Sequence, residues 1–237
     1  MNIKALFIGS IGVVTETSDY QRRAYNQAMK ENGLSWNWDK DTYKELLKSN
    51  GGKLRLEVLS SATGQPLEQS KIDKIHARKT EIAGELVRKD QLKPRTGLIE
   101  LIKSAKADGA IVAWVTSTYE ANTNALIEAS NGELTADHFD HIFHRTDINN
   151  SKPAPDAYQN ALRHFNLEAS ECVAIEDSLT SLLAAKAADV FTVATLGDFH
   201  DEQVENIADL VLDHLGVTSW AELKKEAQAS RQMAYAA

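Results

Sequence analysis

Four short stretches place polar chemistry directly beside apolar runs. Gly9-Ser10-Ile11-Gly12 follows the run at residues 3–8, and Thr116-Ser117 follows the run at residues 110–115. Lys152 stands immediately before Pro153, and Glu176-Asp177 closes the run at residues 172–175. A threonine hydroxyl and the backbone N–H that follows it are hydrogen-bond donors suited to an anion. A lysine is a compact positive charge, and two adjacent carboxylates after a buried strand concentrate negative charge. Each has a plain alternative. Thr116 can cap the helix that follows, Lys152 can be a solvated loop residue, and Asp177 or Ser178 can be a helix N-cap.

The elements that position these residues follow from periodicity. Residues 3–8, 110–115, 172–175 and 190–195 are short, apolar and bounded by turn residues, which is the pattern of buried strands. Residues 141–143 and 210–212 are shorter candidates. Helical spacing fills the intervals at residues 95–107, 119–129, 156–165 and 179–188. Strands that alternate with helices imply an α/β fold with a doubly wound parallel sheet, whose functional groups gather at the carboxyl ends of the strands. The interval from Gly9 to the strand at 110 is far longer than a crossover needs. It reads as helices at residues 19–31, 39–49, 54–61 and 67–89, punctuated by Gly33, Gly51-Gly52 and Gly64-Gln65-Pro66. The expected organisation is a core of residues 1–14 and 93–237 with an inserted helical cap at residues 15–92. A further helix starts at Ser219, which has capping-box spacing to Glu222.

Composition narrows the classes of function. A net charge of −8 opposes bulk nucleic-acid binding, although a small phosphorylated ligand needs only a few local cations. No apolar run approaches the ~18 residues of a membrane span, and residues 1–4 lead straight into a strand. The expectation is a cytoplasmic protein. The single cysteine, Cys172, opens a buried strand and reads as core. The histidines at 138, 141 and 144 straddle a strand without ligand-type spacing and read as surface or strand-edge residues. Trp36 and Trp38 read as packing residues of the inserted helices.

The four stretches, in this order on these elements, resemble the haloacid dehalogenase superfamily in its β-phosphoglucomutase-like branch. Gly51-Gly52-Lys53-Leu54-Arg55, Lys152-Pro153-Ala154-Pro155-Asp156 and the run from Ala208 to Gly216 look like the sugar-bisphosphate phosphatases of that branch. The resemblance implies phosphoryl transfer through an aspartyl-phosphate, with a second aspartate two residues on as acid and base. It makes Thr116, Ser117 and Lys152 the phosphate ligands and Glu176 and Asp177 the magnesium ligands. It offers Gly52, Lys53 and Arg55 of the cap to a distal substrate phosphate, for which a solvated helix face is the alternative.

The first motif departs from that pattern. With Gly12-Val13-Val14 in register, Gly9 takes the nucleophile position and Ile11 the acid/base position, and no aspartate lies between Met1 and Ser18. Loss of a nucleophile can lower a hydrolase rate on the order of a million-fold. Gln21 stands where related mutases carry a hinge histidine. Ser10 and Thr15 are the nearby hydroxyls, and strand alternation turns Ser10 away from the Gly9 direction. The expectation is therefore a catalytically impaired phosphatase-like protein with a partial phosphate pocket and weak magnesium binding. Two alternatives stand beside it: an active magnesium-dependent phosphosugar phosphatase with a non-standard nucleophile, and an interaction protein with a vestigial pocket.

Overall fold

The computed structural model describes residues 2–48 and 52–236. Gly51 of the cap stretch and Ser49 at the end of an expected helix lie outside the described residues. In chain order the elements are β1 (Ala5–Ile8), α1 (Ile11–Val14), α2 (Ser18–Glu31), α3 (Lys40–Leu47), α4 (Gly52–Ala62), α5 (Gln69–Asp90) and α6 (Leu98–Ala107). There follow β2 (Ile111–Val115), α7 (Glu120–Ala129), β3 (His141–Phe143), α8 (Asp156–Phe165), β4 (Cys172–Glu176) and α9 (Leu179–Ala187). The chain ends with β5 (Phe191–Thr195), α10 (Gln203–Ile207), β6 (Leu210–Leu212) and α11 (Trp220–Ala236). It divides into two compact units, one of residues 1–16 and 92–237 and one of residues 17–91.

The first unit is built on a six-stranded parallel sheet of order β3-β2-β1-β4-β5-β6. The two central strands explain their own composition. Every residue of β1 and β4 is buried, because helices cover both faces of a parallel sheet and leave no solvated side for polar residues. Ala5, Phe7, Ala113, Val115, Cys172 and Ala174 share one apolar cluster with Tyr158 and Ala161 of α8 and Ala184 and Ala185 of α9. The alternate residues Leu6, Ile8, Val112, Trp114, Val173 and Ile175 are equally buried, and α6 and α11 contact these strands. Strand order reverses direction between β1 and β4. Such a switch point opens a crevice at the carboxyl ends of the strands, where Gly9-Ser10 and Glu176-Asp177 lie.

Two local features set the edges of this unit. The expected helix at 95–107 begins only at Leu98, because Gly97 holds a left-handed φ of 86°. A side chain there would also collide with the backbone of Leu215 and Gly216. Ser219 and Glu222 form the expected capping box: the Ser219 N–H donates to Glu222 Oε2 at 2.8 Å and the Glu222 N–H returns to Ser219 Oγ at 3.3 Å. The helix that follows is fastened by Trp220 Nε1 to Asp108 at 3.0 Å, and by Arg231 to the carbonyls of Ala169 and Asp189.

The second unit is the helical insertion. The buried stripe of α2 (Ala24, Tyr25, Ala28, Met29) faces that of α5 (Ile72, Ile75, Ile82, Ala83, Val87) in the most extensive contact between helices. Trp38 and Tyr43 close its core, with ring centroids 5.8 Å apart, and Tyr25 lies 4.6 Å from Trp38. Asp39 caps α3 by accepting from the Thr42 N–H at 2.8 Å. The inserted helices are consistent with a cap domain on a haloacid-dehalogenase-type core.

Candidate active site

Glu176 ends β4, and the period of two in a strand points its side chain to the α8 face, as for Ala174 and Cys172. It is completely buried. A buried carboxylate needs partners on both oxygens, and both are supplied. Oε1 takes an ion pair from Lys152 and a hydrogen bond from the Tyr158 hydroxyl. Oε2 accepts from the Ser10 N–H at 3.0 Å and from Ser10 Oγ at 2.9 Å. Tyr158 is raised well above its ordinary pKa, first by burial and then by the Glu176 charge, so its hydroxyl remains a donor.

Gly9 is the residue that makes room for this arrangement. It follows β1 with the same parity as Ala5 and Phe7, and a Cβ built on it would overlap the Glu176 carboxylate. The space beside Gly9 thus holds a carboxylate that arrives from β4 instead of from the chain position itself. Gly12 does the same for the neighbouring acid, since a Cβ there would overlap Asp177 Oδ2.

Ser10 corrects the expectation that it points away. The extended segment ends at Ile8, and α1 begins one residue after Ser10, so strand alternation no longer sets its direction. Ser10 stands at the N-cap of α1 but makes no capping bond. Its hydroxyl faces Glu176 Oε2 and Asp177 Oδ1 together. Ile11 opens the helical turn and supplies no polar group.

Asp177 is raised to about 6 from an ordinary 3.8. Burial is the main cause and the Glu176 charge the second; the Ser10 bond and Arg95 oppose them. Arg95 was not singled out by sequence reasoning. Its guanidinium donates to the carbonyls of Gly12 at 3.1 Å and Leu196, which ties α1 to the segment just after β5.

Lys152 is only 6% exposed, which is not the burial of a solvated loop residue. Besides Glu176 it donates to the Val115 carbonyl at 3.0 Å, and its Nζ lies 4.9 Å from the centre of the Tyr158 ring. Thr116 is buried at the end of β2, with Oγ1 accepting from the Thr118 N–H at 3.1 Å. Ser117 follows it, partly exposed. The Thr116 N–H is spent on the Phe143 carbonyl at 3.2 Å. The ends of β1, β2 and β4 therefore bring Ser10, the Val115 carbonyl, Lys152, Glu176 and Asp177 into one bonded cluster, with Thr116 and Ser117 adjoining it.

The donor set suits a hard cation. Ser10 Oγ carries one hydrogen but meets two carboxylates, so one of those oxygen contacts is left for a proton or a cation to satisfy. All the groups are oxygens, and magnesium is usually held by one or two carboxylates together with substrate phosphate. Among the described residues, no cluster of three or more histidines, cysteines and acids adds to this pair.

The cap residues belong to the second unit and are described within it. Lys53 pairs with Asp73 at 2.7 Å, both half exposed. Arg55 Nε donates to the Leu46 carbonyl at 3.1 Å, and its guanidinium lies 5.9 Å from the Tyr43 ring centre. The Gly52 carbonyl accepts from the Tyr25 hydroxyl at 2.9 Å. Gln21 Oε1 is buried without a hydrogen-bond partner.

Residues 3–189 match the family model described as haloacid dehalogenase-like hydrolase. The chain belongs to that hydrolase family. Protein CbbY of Rhodobacter capsulatus is 35% identical over 199 residues, which cover 84% of this chain and 88% of that one. The crystal structure of CbbY from Rhodobacter sphaeroides in complex with phosphate superposes with a TM-score of 0.82 at 31% identity, over 92% of this chain and 98% of that one. A mutant of the same protein in complex with xylulose-(1,5)bisphosphate gives 0.80 at 31% identity, over 90% and 96%. β-Phosphoglucomutase from Clostridium difficile shares the fold, with a TM-score of 0.78 at 18% identity.

These likenesses overturn the expectation of a pseudoenzyme with a degenerate magnesium site. The hydrolase-family match and the near full-length similarity to CbbY argue for an active haloacid dehalogenase-like phosphatase. The physical reason lies at Gly9. The sequence lacks a carboxylate at positions 9 and 11, yet the folded chain brings the Glu176 carboxylate and the Ser10 hydroxyl into that space. No helix among the described residues is long and apolar enough to cross a membrane.

Proposed function

We propose that this chain is a magnesium-dependent phosphatase acting on phosphosugars, with a nucleophile other than the aspartate usual at position 9. The observation that carries the reading is the buried cluster of Lys152, Glu176, Asp177 and Ser10 at the carboxyl ends of parallel strands. It joins a fixed cation, two carboxylates and a hydroxyl at the switch point of the sheet. The phosphate and xylulose-(1,5)bisphosphate held by the related CbbY structures support a small phosphorylated ligand of this class.

In this reading Thr116, the Ser117 N–H and Lys152 receive the phosphoryl oxygens. Lys152 is held by the Val115 carbonyl and Glu176, so its charge is pre-positioned and no side-chain freedom is lost on binding. The Glu176 and Asp177 carboxylates would hold magnesium, which supplies charge neutralisation for the phosphoryl group. Within the helical unit, Lys53 and Arg55, with Gly52 beside them, would bind a phosphate group, Lys53 exchanging its surface partner Asp73 for the ligand.

Calorimetry with inorganic phosphate and magnesium tests the pocket. The parent protein is expected to bind phosphate at micromolar to millimolar concentration, more tightly with magnesium present. Lys152→Met is expected to weaken it at least ~10-fold, on the scale of one charge-assisted hydrogen bond. Equal affinity in both proteins would remove Lys152, and with it the proposed phosphate pocket.

A further inference from the structure

Ser10 satisfies Glu176 Oε2, yet its hydroxyl is placed unlike that of an ordinary N-cap serine. It occupies a helix N-cap, where a serine normally accepts from the backbone of the first turn, and it makes no such bond. Instead the hydroxyl is turned back onto Glu176 Oε2 at 2.9 Å and onto Asp177 Oδ1. Its own N–H is fixed to the same Glu176 oxygen at 3.0 Å, so the backbone holds the side chain in this orientation. Lys152 sits on the other oxygen of that carboxylate. Hydroxyl and cation therefore flank one carboxylate, with Ser10 partly exposed and Lys152 buried behind it. A nucleophile in hydrogen-bond contact with a base, the base itself held by a third group, is the arrangement that activates a serine.

We propose that Ser10 is the nucleophile of the reaction, in place of the carboxylate that position 9 lacks. The assignment rests on the phosphatase reading above. Ser10 Oγ attacks phosphorus of the phosphate monoester, and the bond from phosphorus to the sugar oxygen breaks. The Ser10 proton passes to the carboxylate oxygen it already faces, Oε2 of Glu176, and the departing sugar oxygen takes up that proton. Water then attacks the Ser10 phosphoester, the bond from phosphorus to Oγ breaks, and Oγ regains a proton as inorganic phosphate leaves. Water is the only co-reactant. Gly9 is part of the device, because any side chain there would displace the Glu176 carboxylate that orients Ser10.

The test uses the full chain with xylulose 1,5-bisphosphate and magnesium. Turnover is stopped in acid and the digested protein is examined by mass spectrometry. Phosphate on the peptide that carries Ser10 is expected in the parent and is expected to be missing in Ser10→Ala. Steady-state release should fall at least ~1000-fold in Ser10→Ala and be partly retained in Ser10→Thr. Phosphate binding by Ser10→Ala should stay within a few-fold of the parent, which shows that the pocket still forms. Parent-like release by Ser10→Ala, or phosphate on another residue, would overturn the Ser10 assignment and leave the phosphatase reading in place. No release by the parent would bring down both.

Discussion

Lys152 and Glu176 face each other with almost no water contact, at 6% and 0% exposure. Removing one member of such a pair strands the other charge in a low-dielectric interior, which costs about 3–5 kcal/mol. Lys152→Met is therefore expected to lose roughly that much in chemical denaturation, whereas Lys53→Met, at the half-exposed Asp73 pair, should change stability by less than ~1 kcal/mol. At Gly9 the expectation is also a loss. A side chain there meets the Glu176 carboxylate, and overpacking of this kind costs about 1–3 kcal/mol, so Gly9→Asp should lower the midpoint of unfolding. Asp177 gives a pH signature. Its carboxyl is held near 6 against an ordinary 3.8, so the folded protein binds the proton more tightly than the unfolded chain. The contribution is favourable below pH 3.8 and is lost as pH rises through 6. In metal-free buffer Asp177→Asn should be more stable than the parent above pH 6, by up to ~3 kcal/mol, and the gap should close towards pH 4. A gap independent of pH would show that Asp177 is not the strained group.

Among elements, the four inner strands were legible because each is a short apolar run ended by a turn residue, as buried strands of a parallel sheet must be, whereas the half-buried edge strands β3 and β6 stood out only as shorter candidates. The helical insertion was legible from the length of the interval after Gly9. The ends of elements were less so: α6 starts at Leu98 because of the conformation of Gly97 and its close approach to Leu215 and Gly216, a contact distant in sequence. The direction of Ser10 was misread because the turn of α1 follows β1 at once, and a four-residue helix leaves no periodicity to detect. Tyr158 and Arg95 reach the site from α8 and from the segment before α6, and only the fold shows it. The helical unit carries its own strain. Lys79 on α5 lies 4.9 Å from the Tyr25 ring centre and is lowered to about 8 from 10.5, first by burial and then by Arg55. The unfolded chain binds its proton more tightly, so stability should rise with pH between 8 and 10.5. Lys79→Met should be the more stable protein at pH 7 in chemical denaturation, with the advantage fading towards pH 10.

At the scale of the whole molecule, the order of the four stretches along the chain was enough to place it in a phosphatase-type family, but not to decide its activity. In the proposed reading, activity turns on what fills the space at Gly9. That depends on Glu176, 167 positions further along the sequence by residue number, and on a hydroxyl that a strand-based reading turned the wrong way. Sequence position and spatial position part company at Gly9, where the neighbouring carboxylate comes from β4. The cluster at the ends of β1 and β4 is proposed to hydrolyse a phosphate ester. The direct measurement is phosphate release from xylulose 1,5-bisphosphate by the purified protein, with magnesium and with a chelator. Steady multiple turnover that needs magnesium, and that falls at least ~100-fold in both Lys152→Met and Asp177→Asn, is the expected result. No release above the rate in buffer from this or other sugar phosphates, by protein that is folded and binds phosphate, would contradict it.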